Sequence, residues 1–278
     1  MIGFIKIIKR VFAVLMVVTV VLSAQTDLPQ RGICGHRGAR STFPENTIPA
    51  FKEALRLGVH MIEFDVWLSK DNRLIVMHDP SVDRTTNGKG LISDLTFDEI
   101  KSFDAGAWKS EEFSGVQVPT FEEVMEIMPY NIWLNIHIKK IPEAAKRVAE
   151  IIVSKNRIHQ SMMAVNKEMM SIVKEVSNEI KICNMDRVDS PEQYVDETIA
   201  MGCEFIQLTD RADASLPILV KKLKENNVKI NYYGTNSSVK LEQLLSAGVD
   251  YVLVDSTSQM LNAAGELGII SVDYKLDE

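Results

Sequence analysis

MIEFDVWLSKDNRLIVMH, residues 61–78, decides between two fold classes. Its two ends, 61–67 and 73–78, are apolar and β-branched enough to be strands. Ser69-Lys70-Asp71-Asn72-Arg73 between them is turn-forming, and far shorter than the crossover of about a dozen residues that joins parallel neighbours. The pair reads as an antiparallel hairpin, so 73–78 drops out of any count of parallel strands.

Outward from the hairpin the chain alternates short apolar runs with longer amphipathic ones. Strands are expected near 32–35, 132–138, 161–165, 180–184, 204–208, 228–233 and 250–254. With 61–67 they make eight candidates for one parallel ring. Helices are expected at 47–57, 141–154, 167–177, 190–201, 214–225, 238–247 and 257–266, with Gly58, Gly202 and Gly248 at C-terminal caps. The alternation predicts an α/β fold, and the count of eight favours a (β/α)8 TIM barrel over an open doubly wound sheet. Residues 79–119 fit no βα unit. They hold the turn-rich Asn87-Gly88-Lys89-Gly90 and a short helix near 96–103, and read as a region inserted after the hairpin. Loops at the C-terminal ends of barrel strands carry the chemistry.

Those strand ends hold the reactive side chains. His36 and Arg37 follow the first strand, between Gly35 and Gly38; imidazole suits proton transfer near neutral pH. Glu63 and Asp65 are two apart and share one face of a strand. Two acids amid Ile, Phe and Val repel unless a divalent cation compensates, or unless the strand is half exposed with its acids outward. With Asp71-Asn72 as a two-residue turn, Asp65 falls opposite His78, which would cluster Glu63, Asp65 and His78. A one-residue slip would turn His78 to the other face. In the strand at 132–138, Asn135, His137 and Lys139 share a face, and Lys139 either meets an anion or leaves the barrel into solvent. Two acids for a metal, two histidines for proton transfer, and Arg37 with Lys139 for an anion suit phosphoryl transfer, which depends on positioning and charge neutralisation.

The N-terminus reads as an export signal over residues 1–26: Lys6, Lys9 and Arg10, an apolar run from Val11 to Leu22, then small Ser23 and Ala24. Cleavage would leave 27–278 as one exported domain, periplasmic or secreted, without stable membrane insertion; an uncleaved anchor is the alternative. The whole chain is ordinary in composition, 46% hydrophobic and 25% charged, so a large core is available. A net charge of −7 argues against nucleic acid as a partner and leaves a small-molecule substrate. Cys34, Cys183 and Cys203 match no metal cluster or disulfide framework and read as buried small hydrophobes.

Several ordered motifs resemble the glycerophosphodiester phosphodiesterase family. They are His36-Arg37-Gly38, Pro44-Glu45-Asn46-Thr47, Ala50-Phe51, Ile62-Glu63-Phe64-Asp65-Val66, His78-Asp79, Asp83-Arg84-Thr85-Thr86, Gly88, Gly90 and Val118-Pro119-Thr120, with a thinner match at Ala247-Gly248-Val249-Asp250 and Asp255. The resemblance implies a (β/α)8 barrel and metal-dependent hydrolysis of glycerophosphodiesters to glycerol 3-phosphate and an alcohol. It implies His36 and His78 as paired acid and base, Glu63 and Asp65 as metal ligands, Arg37 and Lys139 as phosphate contacts, and Glu45 as a supporting residue. The family's third ligand is a Glu two residues before the strand Lys, and here that position is His137. Ca²⁺ or Mg²⁺ follows from the family, while an imidazole ligand makes Mn²⁺ or Zn²⁺ plausible; alternatively His137 does not ligate, and activity is reduced or redirected. Tyr232-Tyr233-Gly234-Thr235-Asn236 stands where the family often has Trp before Thr-Val-Asn, which points to a different leaving alcohol. Two other readings keep the fold: a lysophospholipase D-like enzyme, favoured by an apolar patch at Phe97, Phe103, Trp108 and Phe113, and a binding protein with an impaired metal site.

Overall fold

A computed structural model describes residues 28–274; the expected export signal lies outside them. The strands are β1 (Gly32–His36), β2 (Met61–Leu68), β3 (Leu74–Val76), β4 (Trp133–Ile138), β5 (Ser161–Val165), β6 (Lys181–Asn184), β7 (Phe205–Leu208), β8 (Lys229–Tyr233) and β9 (Tyr251–Val254). All except β3 pair parallel in ring order, and β9 returns to β1, closing the expected eight-stranded barrel. Both faces of the ring are buried, as parallel strands require. Outward Ile33, Ile62, Phe64, Leu134, Ile136 and Val252 pack under the helices. Inward Cys34, Met61, Trp133, Met162, Phe205 and Tyr251 fill the barrel near its N-terminal end. The three thiols are free and buried.

The helices are α1 (Ile48–Leu57), α2 (Phe97–Lys101), α3 (Phe121–Ile127), α4 (Pro142–Ser154), α5 (Lys167–Val176), α6 (Pro191–Ala200), α7 (Leu216–Glu225), α8 (Ser238–Ser246) and α9 (Thr257–Glu266). None is long and apolar enough to cross a membrane. Helix α3 was not among the expected elements. It has only 7 residues, too few to show a period, yet Thr120 and Glu123 cap it reciprocally and Phe121, Val124 and Met125 are buried. It brings the chain from the insert back to β4.

The hairpin forms, but in a different register. Strand β2 runs on past the ring: its residues 61–66 pair with β4, and 66–68 pair antiparallel with β3. Val66 faces Val76 and Leu68 faces Leu74, so Asp65 is level with Met77, whose N–H donates to the Asp65 carbonyl at 3.1 Å. The expected Asp65–His78 pairing is therefore wrong by one residue. The cause is the turn, which is a three-residue loop, Lys70-Asp71-Asn72, closed by a Ser69 N–H to Arg73 carbonyl bond of 2.9 Å. Asn72 takes the left-handed conformation, φ 61°, that such loops need at their last position.

The insert after β3 builds its own small core from Ile75, Met77, Val82, Ile92, Ile100, Ala105 and Val118, with Phe97 and Phe103 packed against it. Phe113 packs against Phe43 with the rings tilted by 46° and their centroids 5.0 Å apart. Of the four aromatics considered as a lipid-facing patch, only Trp108 is exposed.

Candidate active site

The site forms where β1, β2, β4 and β9 end. Pleating points Glu63 and Asp65 of β2 inward in succession. The turn after β1 wraps around them: Arg37 sits at φ 55°, and its N–H donates to the Glu63 carbonyl at 2.9 Å and to Glu63 Oε2 at 3.2 Å. Gly38 makes this turn possible, since a Cβ there would sit 2.7 Å from the Ala50 carbonyl in the first turn of α1. Asn46, also at positive φ, donates its side-chain N–H to Asp65 Oδ2 at 2.9 Å. Thr47, next in the chain, caps α1.

Glu63, Asp65 and His137 each offer a ligand atom within 4.8 Å of the others. The two carboxylates are almost wholly buried. Burial, reinforced by Asp65, pushes Glu63 well above the ordinary carboxyl range. Burial pushes Asp65 upward too, but His137, Lys139 and Arg37 outweigh it and hold Asp65 well below its usual value. Adjacent buried acids of this kind fit a divalent cation. Two oxygens and one imidazole nitrogen make a mixed donor set. Lys139 ion-pairs with Asp65 Oδ1 at 2.7 Å, and His137 Nδ1 lies 3.1 Å from that same oxygen and 3.1 Å from Lys139 Nζ. Lys139 therefore lies beside the acids, while Arg37 lines the cavity directly.

The two histidines have separate supports. His36 Nδ1 lies 2.6 Å from Asp255 Oδ1, while Nε2 points toward Glu63, 3.9 Å away. His78 Nδ1 lies 2.7 Å from Asp79 Oδ1. A carboxylate at Nδ1 favours the tautomer with its proton there, leaving Nε2 to accept. Burial lowers the pKa of both rings, against the upward pull of their carboxylates. Asp79 is held far down by Arg84, which grips it at 2.6 and 3.0 Å and also reaches Glu45 at 2.8 and 3.1 Å. Burial raises Glu45, but Arg84, Arg37 and Arg40 outweigh it and bring it to about 2.

His36, Arg37, Glu63, Asp65, His78 and His137 line one cavity of about 160 Å³. His78 arrives there despite the shifted register because the chain leaves β3 at Val76, and Trp67 Nε1 holds the His78 carbonyl at 3.1 Å. Sequence reasoning gave no role to Asp255, Arg84, Arg40 or Asn46. The available signal for Asp255 was an acid directly after the last barrel strand. Arg187, Gln207 and Tyr233 also line the cavity from the far side, and Tyr233 meets the His36 ring edge-on at 5.0 Å.

Comparison with known proteins agrees with this fold. A glycerophosphodiester phosphodiesterase of Caldanaerobacter subterraneus is 34% identical over 236 residues, covering 83% of this chain and 96% of that protein. The crystal structure of a glycerophosphodiester phosphodiesterase from Agrobacterium tumefaciens superposes with a TM-score of 0.74 at 26% identity, over 84% of this chain and 99% of the other. A phosphodiesterase of Oleispira antarctica, solved in complex with the product sn-glycerol-3-phosphate, superposes with a TM-score of 0.71 at 25% identity, over 86% of this chain and 97% of the other. Residues 36–259 match the glycerophosphoryl diester phosphodiesterase family, and the chain belongs to that family.

Proposed function

We propose that the protein hydrolyses glycerophosphodiesters to glycerol 3-phosphate and an alcohol, with a divalent cation held by Glu63, Asp65 and His137. The observation that carries this reading is the buried cluster of those three groups beside two carboxylate-supported histidines, in a chain of this family. The cation, when bound, neutralises charge on the phosphate oxygens. Arg37, anchored on Glu45 at 2.6 Å, binds the phosphate from the β1 side. Lys139 balances Asp65 at 2.7 Å and would be free to meet the phosphate if a bound cation balanced Asp65 instead. His36 and His78, whose pKa values burial lowers, supply the proton transfers: one accepts the proton of the attacking water or substrate hydroxyl, the other, having taken a proton from solvent, gives it to the oxygen of the leaving alcohol, and water opens any cyclic phosphate that a substrate hydroxyl forms. Asp255 and Asp79 keep each Nε2 available.

With only two carboxylates in the set, we assign Mn²⁺ or Zn²⁺ ahead of Ca²⁺ or Mg²⁺. Export through residues 1–26 belongs to the same proposal, and N-terminal sequencing of the mature protein tests it.

Release of glycerol 3-phosphate from a panel of glycerophosphodiesters, after EDTA and with each cation restored, tests the reaction. Metal-restored turnover is expected; tight diester binding without turnover under any cation would favour the impaired binding protein. Titration calorimetry of His137→Glu should show stronger Ca²⁺ and Mg²⁺ binding, and unchanged affinity would remove His137 from the ligand set.

A further inference from the structure

A second cavity of about 390 Å³ adjoins the first, above the C-terminal ends of β6, β7 and β8. Arg187, Gln207 and Tyr233 line both, so the two spaces communicate past these side chains. The size of the second cavity lies in the range of roughly 300–1,000 Å³ typical of small-molecule sites.

Two side chains at the junction are incomplete. Gln207 is only 7% exposed, yet its side-chain amide makes no hydrogen bond to any described residue, while its neighbours in the larger cavity are polar Thr209, Asp210 and Arg211. The amide opens into the cavity, where a ligand that both donates and accepts can bond to it. Arg187 has no carboxylate within ion-pair distance among the described residues; its side-chain contacts are the Tyr194 hydroxyl and the Met185 sulfur at 4.0 Å, neither of which balances its charge. Hydroxyl groups satisfy both. A quaternary ammonium satisfies neither: it cannot hydrogen-bond to Gln207, and the charge of Arg187, which no carboxylate balances, repels it, whereas Arg211 is paired with Asp189 at 3.5 Å.

We infer that this second cavity receives the leaving alcohol as a polyhydroxylated group, of glycerol or cyclitol type, recognised by Gln207 and Arg187. The inference rests on the proposed hydrolysis and narrows its substrate class: diesters of polyols are preferred over diesters of choline.

Four substrates decide it: glycerophosphoglycerol, glycerophosphoinositol, glycerophosphocholine and glycerophosphoethanolamine, compared by kcat/KM on the purified, metal-loaded protein. Because a site built to bond hydroxyls rejects analogues lacking them, the polyol diesters should exceed glycerophosphocholine by roughly tenfold or more. In Gln207→Leu and in Arg187→Met that ratio should fall toward one. Read within a single variant, the ratio is insensitive to lost folding or lost metal. Equal or better turnover of glycerophosphocholine overturns the inference and leaves the hydrolysis intact, and so does an unchanged ratio in both variants. No turnover of any of the four removes the proposed hydrolysis, and this inference with it.

Discussion

The two sides of the barrel mouth are built differently. On the β1–β2 side nearly every charge is answered: Glu45 meets Arg37, Arg40 and Arg84, Asp79 meets Arg84 and His78, and Asp255 meets His36. On the β6–β8 side Arg187 and Gln207 stand without comparable partners. In the proposed reaction the first side handles the phosphate and the protons, which do not vary between substrates, and its geometry is held in place before the ligand arrives. The second faces the variable part of the substrate and is completed by it.

The largest expected effect tests the first side. His36→Ala and His78→Ala should each lower kcat by roughly 10²–10⁴-fold with thermal melting close to wild type; full turnover in either would withdraw the acid–base assignment. Glu45 tests the ion network that braces them. Its folded pKa, about 2, lies below the usual 4.5, so its contribution is fully present above pH 4.5 and is lost as pH falls toward 2. That amounts to at most roughly 3 kcal/mol. Acid denaturation of Glu45→Gln should therefore start from a lower stability and fall less steeply in that window; an unchanged slope would show that the network is not stabilising.

Asp255→Asn is a smaller and more selective perturbation. An amide that donates to Nδ1 favours the other tautomer of His36, and kcat should drop by roughly tenfold or more, about 1.4 kcal/mol, with KM little changed. A matching rise in KM with kcat retained would mean that Asp255 acts on binding. Arg187→Met is the smallest expected change in stability, within about 0.5 kcal/mol, because no ion pair is lost. A drop of several kcal/mol in a denaturant titration would erase the contrast between the two sides.

Much of the ring was legible because its signals are local. Apolar runs bounded by caps marked the ring strands, and the short Ser69–Arg73 connection excluded a crossover. Helix α3 escaped because 7 residues give two turns and no visible period. Lys139 was placed on the right face, but its 2.7 Å pairing with Asp65 depends on how far β4 extends beside β2.

The sequence by itself determined the eight-strand count and the shared face of Glu63 and Asp65, because the two-residue pleat of a strand is carried by adjacent residues. Only the tertiary structure decided how His78 reaches the cavity, since one extra turn residue shifts the register and departure from β3 at Val76 restores the position. The meeting of His36 with Asp255, 219 residues apart, exists because β9 closes the ring against β1. The opening of Gln207 into both cavities likewise has no local signature: which side chains line a cavity depends on what the closed barrel places around it.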